Sequence, residues 1–275
     1  EGRWPNRKPT PCSRGPTRGV SVEQLVELLE FFRDFIRNRN AYYLDKLIIR
    51  PLTRPYGLSY AELTGPGPID YFVSHFWGTS FEHFVETLVC HCRTLTTVDA
   101  FQAIRYWICF LANNQLHIKD ELGNGLWQQS SFYLALTFSS CRGTCVVLDQ
   151  DALPFTRAWC LFELVQSYLL MQSSTKGLFK GLTFCTDRGV LGQENIKACY
   201  DVACELAKRL SILRLQDSEA SKDADKRMIF DLVNELGGFE HINGFLRSSM
   251  AVTLELVQGQ FTHAISSLQG CLHSV

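Results

Sequence analysis

The chain has 275 residues, 46% of them hydrophobic, which is enough apolar side chain to fill a sizeable core. Its 27 basic and 28 acidic residues leave a net charge of -1, which argues against a nucleic-acid or membrane-surface partner recruited by bulk charge. No apolar run approaches the roughly 18 residues that cross a bilayer, and no secretory leader is visible.

The segment 1–19 carries Arg3, Arg7, Lys8, Arg14 and Arg18 among Pro5, Pro9, Pro11 and Pro16, a composition that predicts a disordered basic tail. The chain starts at Glu1 rather than Met, as expected of a piece excised from something longer. Ser21 to Gln24 reads as a capping box. It opens a predicted helix to Asn38 whose stripe of Leu25, Leu28, Leu29, Phe32, Phe35 and Ile36 is too apolar to stay in water. Residues 50–68 hold Pro51, Pro55, Pro66 and Pro68 with three glycines and read as a connector.

From Ile69 short strand-like runs alternate with longer helical patterns, which predicts parallel βαβ units in an α/β sheet. The strands expected are Asp70 to Ser74, Ala103 to Leu111, Gly143 to Asp149 and Phe179 to Cys185, with a short fifth near Ile212 to Leu215. Helices are expected over Ser80 to Leu95, Leu126 to Phe138, Phe155 to Met171 and Gln193 to Ser211, with further helix from Lys222 to Val275.

Eleven cysteines, an odd number scattered through apolar segments, predict reduced thiols and a cytoplasmic location. The Cys90-His91-Cys92 run lacks a second Cys or His pair at finger-like spacing, so it reads as buried or idle thiols rather than a metal site.

In an open α/β sheet ligands sit beyond the carboxyl ends of the strands. Ser74, His75, Phe76, Trp77 and Gly78 close the first strand and either border a pocket or form a turn with an aromatic lid. The second strand carries Trp107 and runs into a polar loop from Asn113 and Asn114 to Gly125, expected to be a mobile flap. Asp149 and Asp151 follow the third strand, but no Walker lysine or glycine-rich cradle accompanies them, and a solvated turn is expected. No G-x-S-x-G elbow is present. In Thr156 to Ser167, Glu163 is the one carboxylate of an otherwise apolar helix. With Trp159 and Cys160 it forms either a solvent stripe or a pocket wall.

The succession Y-F-V-S-H-F-W-G, Y-W-I-C-F-L-A-N-N-Q, G-T-C-V-V-L-D and A-W-C-L-F-E-L resembles a Toll/interleukin-1 receptor (TIR) domain of a protist type, over about Ile69 to Leu215. The resemblance implies a flavodoxin-like parallel sheet of four to five strands within residues 69–216. A helix and connector at 20–68 precede it, and a helical extension at 217–275 follows. It further implies cleavage of the nicotinamide ribosyl bond of NAD+, taken as substrate with no other cofactor and under the control of self-association. Glu163 would be the catalytic carboxylate, as in the W-C-x-x-E-L of plant members. Ser74 to Gly78, Trp107, Asn113, Asn114, Trp159 and Cys160 would bind substrate, and Asn113 to Gly125 would be the BB loop. Two alternatives stay open: a non-catalytic TIR adaptor acting by homotypic contact, and a nucleoside deoxyribosyltransferase-like enzyme, which also uses a Glu on such a sheet. Where plant members read R-G-E-D after the first strand, this chain has Trp77, Gly78, Thr79 and Ser80.

Overall fold

The computed structural model describes residues 7–95, 101, 103–173, 179–193 and 196–273. Its centre is one six-stranded sheet: β1 (Val20–Ser21), β2 (Tyr71–His75), β3 (Arg105–Trp107), β4 (Thr144–Val147), β5 (Leu182–Thr186) and β6 (Gly189–Val190). The strand order is β1-β3-β2-β4-β5-β6. The inner four are parallel, Phe72 pairing with Trp107 on one side and with Thr144 on the other. The two edges are antiparallel, so the sheet is mixed and not the purely parallel one expected.

Strand parity divides the core. Phe72, Val146 and Phe184 face a layer containing α3 (Ser131–Leu136) and α4 (Ala158–Gln172). Tyr71, Val73, Cys145, Val147 and Cys185 face α1 (Val22–Phe31) and α2 (Phe81–Arg93). Helices α5 (Ile196–Ile212), α6 (Asp223–Glu235) and α7 (Gly238–His273) complete the first layer. No helix among the described residues is long and apolar enough to cross a membrane.

Local signals account for several boundaries. Ser21 and Gln24 form the capping box reciprocally, and Ser80 caps α2. Helix α1 is shorter than expected, ending at Phe31 before a separate turn over Arg33–Ile36. Leu25, Leu28 and Ile36 are buried on the body and Phe32 is half-buried, whereas Phe35 stays 64% exposed, so the apolar stripe is only partly covered.

Three further expectations are overturned. The second strand stops at Trp107, and Cys109–Ala112 turn into a helix, because a short apolar run fits a buried strand or a buried helix equally well. Ile212 to Leu215 is no strand; α5 ends at Ile212 and a 3-10 turn follows at Leu215–Asp217. The basic tail, outside Glu1 to Asn6, which the described residues do not include, is packed down. Thr10 N donates to Glu62 O at 2.8 Å and Ile69 N to Pro16 O at 3.0 Å. Arg18 is buried and forms ion pairs with Glu121 at 2.5 Å and Glu62 at 3.3 Å.

Glu121 also accepts from the Ser131 hydroxyl and the Asn114 backbone N–H, so the loop expected to be a mobile flap is anchored at both ends. A buried cation between two buried carboxylates is costly to remove. Arg18→Ala is expected to destabilise the protein by about 3–5 kcal/mol, the range for breaking a buried pair, read from the urea midpoint. A loss under about 1 kcal/mol, the scale of an exposed pair, contradicts the anchoring role.

Candidate functional site

Above the carboxyl ends of β2 and β3 and the first turns of α4 lies a cavity of about 310 Å3. The strand order reverses between β2 and β4, so the loop after β2 opens into a crevice there. His75, Phe76 and Trp77 line it from that loop, Cys109, Asn113 and Gln115 from the segment after β3, and Trp159, Cys160 and Glu163 from α4. Phe132 lies flat against Trp159, ring centroids 5.0 Å apart, and extends the aromatic wall.

Segments on the N-terminal and the C-terminal side of the parallel strands both reach this cavity. Phe81 N donates to Arg39 O and Ala41 N to Trp77 O, which lays the segment after α1 along the β2 loop. Tyr42 thereby packs on Trp77 at 5.4 Å and on Phe76 at 6.4 Å. From the C-terminal side, Ala158 N donates to Glu219 O and Glu219 N to Thr156 O, each at 2.8 Å, which pins the segment before α6 to the start of α4. Lys222 and Asp225 then line the mouth, and Asp225 accepts from Trp159 Nε1 at 3.1 Å.

Glu163 is 3% exposed. Burial raises its pKa to about 8, against smaller opposing contributions from hydrogen bonds with Ser74 and Cys160. Its Oε2 has no hydrogen-bond partner. Nor do Asn113 Oδ1 and either ring nitrogen of His75, both residues of the same cavity wall. Burial lowers the His75 pKa to about 4, so the ring is neutral at pH 7. Its faces are held by Phe84 and Phe110, with centroids at 4.8 and 5.7 Å. Burial also pushes the Cys160 and Cys109 thiols up, so neither is a thiolate nucleophile at neutral pH. Cys160 Sγ donates to His75 O, and Trp77 Nε1 donates to Cys109 Sγ at 3.0 Å.

Unpartnered buried polar atoms are uncommon, and a concentration of them on one cavity wall marks a surface that a ligand can satisfy. The arrangement offers a carboxyl group, purely an acceptor once ionised, and an amide oxygen on a wall shared with the rings of Trp77, Phe132 and Trp159. Arg50, Arg157 and Lys222 add positive charge to the lining. Such a site suits a flat cation bearing hydroxyl donors, with anionic groups directed outward.

No family model, no curated protein and no solved structure matches this chain.

Of the residues singled out from sequence, His75, Phe76, Trp77, Asn113, Trp159, Cys160 and Glu163 meet on the cavity wall. Ser74 stands behind it, hydrogen-bonded to Glu163. Gly78 does not line the cavity but shapes it, since a Cβ there would fall 2.2 Å from Phe76 Cε1. Trp107 is wholly buried and stacked on Phe72 at 4.9 Å, a core residue. Asn114 is engaged elsewhere, donating to Gly57 O at 2.7 Å. Tyr42, Arg50, Lys222 and Asp225 were not foreseen, because contacts between distant segments bring them here; Arg157 was passed over although it stands at the N-cap of α4 itself.

Asp149 and Asp151 border a second, more open groove of about 520 Å3 at the ends of β4 and β5. Asp149 accepts from the backbone of Asp151 and Leu153, and Asp151 forms an ion pair with Arg209.

The burial of Glu163 has a thermodynamic signature. Between its ordinary pKa of 4.5 and about 8 the folded protein retains a proton that the unfolded chain has released, so stability falls as pH rises through that window. Glu163→Gln removes the effect. Relative to wild type, the variant is expected to gain about 4 kcal/mol between about pH 5 and pH 9, at about 1.4 kcal/mol per tenfold change, measured by denaturant unfolding. Parallel pH curves for the two proteins contradict the assignment.

Proposed function

We propose that this chain is a TIR-like NAD+ glycohydrolase that cleaves the nicotinamide ribosyl bond. The observation that carries the reading is the buried, partly unsatisfied Glu163 carboxyl facing an aromatic cavity beside the ends of β2 and β3. The inner strands run in the order second-first-third-fourth, which supports a flavodoxin-like arrangement.

In this reading the nicotinamide ring lies against Trp77 and Trp159 and the ribose hydroxyls donate to Glu163 and Asn113. A cavity of about 310 Å3 is at the small end of ligand sites and takes the nicotinamide ribosyl half. The phosphates then lie at the mouth, where Arg157 and the positive end of the α4 dipole attract them. Nicotinamide is cationic in NAD+ and departs neutral, taking the bonding electron pair, so no general acid is needed. Positive charge moves to the ribose as the bond lengthens, and ionised Glu163 stabilises it. Water adds at the same carbon and its proton leaves to solvent, giving ADP-ribose, nicotinamide and one proton.

The pKa of Glu163 is compatible with this role because the cationic substrate favours the charged form. Burying an unpaired carboxyl without use would be a standing cost, which weighs against an adaptor. A deoxyribosyltransferase-like activity would appear instead as base exchange between 2′-deoxynucleosides. Control by self-association in signalling or defence, in the cytoplasm, belongs to the same proposal; none of the nine described cysteines is in a disulfide, as expected of a reducing compartment.

Purified protein incubated with NAD+ is expected to release nicotinamide, and Glu163→Gln to lower kcat/KM about 100-fold or more while remaining folded. For the wild type, kcat/KM rises with pH and levels above about 8, where free Glu163 is ionised. Undiminished turnover in Glu163→Gln, or no cleavage of NAD+ under any state of association, overturns the proposal. Arg157→Ala is expected to raise KM for NAD+ about tenfold and leave nicotinamide riboside, which lacks phosphates, unaffected. Equal losses on both substrates contradict a phosphate contact.

A further inference from the structure

On the sheet face opposite α4, three potential soft ligands converge from three elements. Cys145 lies on β4, Cys185 on β5 and His91 on α2, and their ligating atoms are all within 4.8 Å of one another. All three side chains are buried. Strand parity accounts for the first pair: Cys185 stands opposite Val147, two residues beyond Cys145, so both point to the α2 layer. Their sulfurs are 3.4 Å apart.

The second shell is in place as well. His91 Nδ1 is 2.8 Å from the Tyr106 hydroxyl, which leaves Nε2 as the ligating nitrogen and fixes the plane of the ring. Tyr71 packs edge-on against that ring at 4.9 Å. Cys92 is buried in the same core and shares the Tyr106 hydroxyl as a hydrogen-bond partner, but it is not one of the three converging ligands.

We propose that His91, Cys145 and Cys185 hold one thiophilic divalent cation, Zn2+, as a structural site independent of the Glu163 cavity. Two Zn–S bonds of about 2.3 Å at a tetrahedral angle separate the sulfurs by roughly 3.8 Å, so the observed pair needs to open by only a few tenths of an ångström. The cation matches the charge of the two thiolates it creates, which suits a dry core better than a charged pair alone. On binding, the Cys145 and Cys185 thiol protons pass to solvent and two Zn–S bonds form, with no change of oxidation state. The site ties β4, β5 and α2 together, so loading accompanies folding, before the core closes.

The full chain, unfolded with a chelator, is refolded with stoichiometric Zn2+ and weighed by native mass spectrometry. Expected is one zinc per chain with at least two protons displaced, retained on dialysis, and absent from folded Cys145→Ser. Should that variant not fold, Tyr106→Phe serves: it keeps the ring, removes the hydroxyl that orients His91, and is expected to weaken zinc affinity about 10–100-fold. Folded wild type that takes up no zinc overturns the proposal. So does undiminished zinc binding in Cys145→Ser or in Tyr106→Phe, which places the ion elsewhere.

Discussion

The constraint on which the rest of the site depends is the removal of the Glu163 carboxyl from water. A carboxyl so placed is held by Ser74 at the end of β2 and by Cys160 one turn back on its own helix, and neither hydrogen bond offsets the desolvation. The helix that carries it is buried nearly all round, and its neighbours Leu161, Phe162, Leu164 and Val165 anchor it in the core below. Position and protonation are therefore set together. Rigid packing keeps the carboxyl in a pocket that disfavours its ionised form; in the proposed function, a cationic substrate entering that pocket would favour it.

Preorganisation of this kind requires that water be kept out, and here the terminal segments contribute. The segment after α1 and the segment before α6 are pinned to the β2 loop and to the start of α4 by paired backbone hydrogen bonds, and they carry Tyr42, Lys222 and Asp225 to the rim. The buried Arg18 pair with Glu121 holds the loop after β3 in the same way. Two flanking segments and the loop after β3 together wall one cavity.

Much of the fold was legible because its signals are local. The capping box at Ser21 and Gln24 and the strand–helix alternation from Ile69 identify α1, α2 and the inner strands. Glu163 stood out because a lone carboxylate in an apolar helix calls for an explanation. Illegible were features decided by tertiary contact. The run after Trp107 bends into a helix, two-residue edge strands carry no periodicity, and Trp107 turns inward to stack on Phe72. The His91, Cys145 and Cys185 cluster was hidden for the same reason. Its members are far apart in sequence, and only strand parity and the face of α2 bring them together.

The central claim is that Glu163 is a neutral carboxyl awaiting a cation. NMR titration of side-chain 13C-labelled glutamate, assigned by comparison with Glu163→Gln, measures this directly in the free protein and with saturating nicotinamide riboside, under conditions that prevent turnover. The account predicts a pKa of about 8 in the free protein, falling when the cation binds. A value near the ordinary 4.5, or one that the cation leaves unchanged, would contradict it.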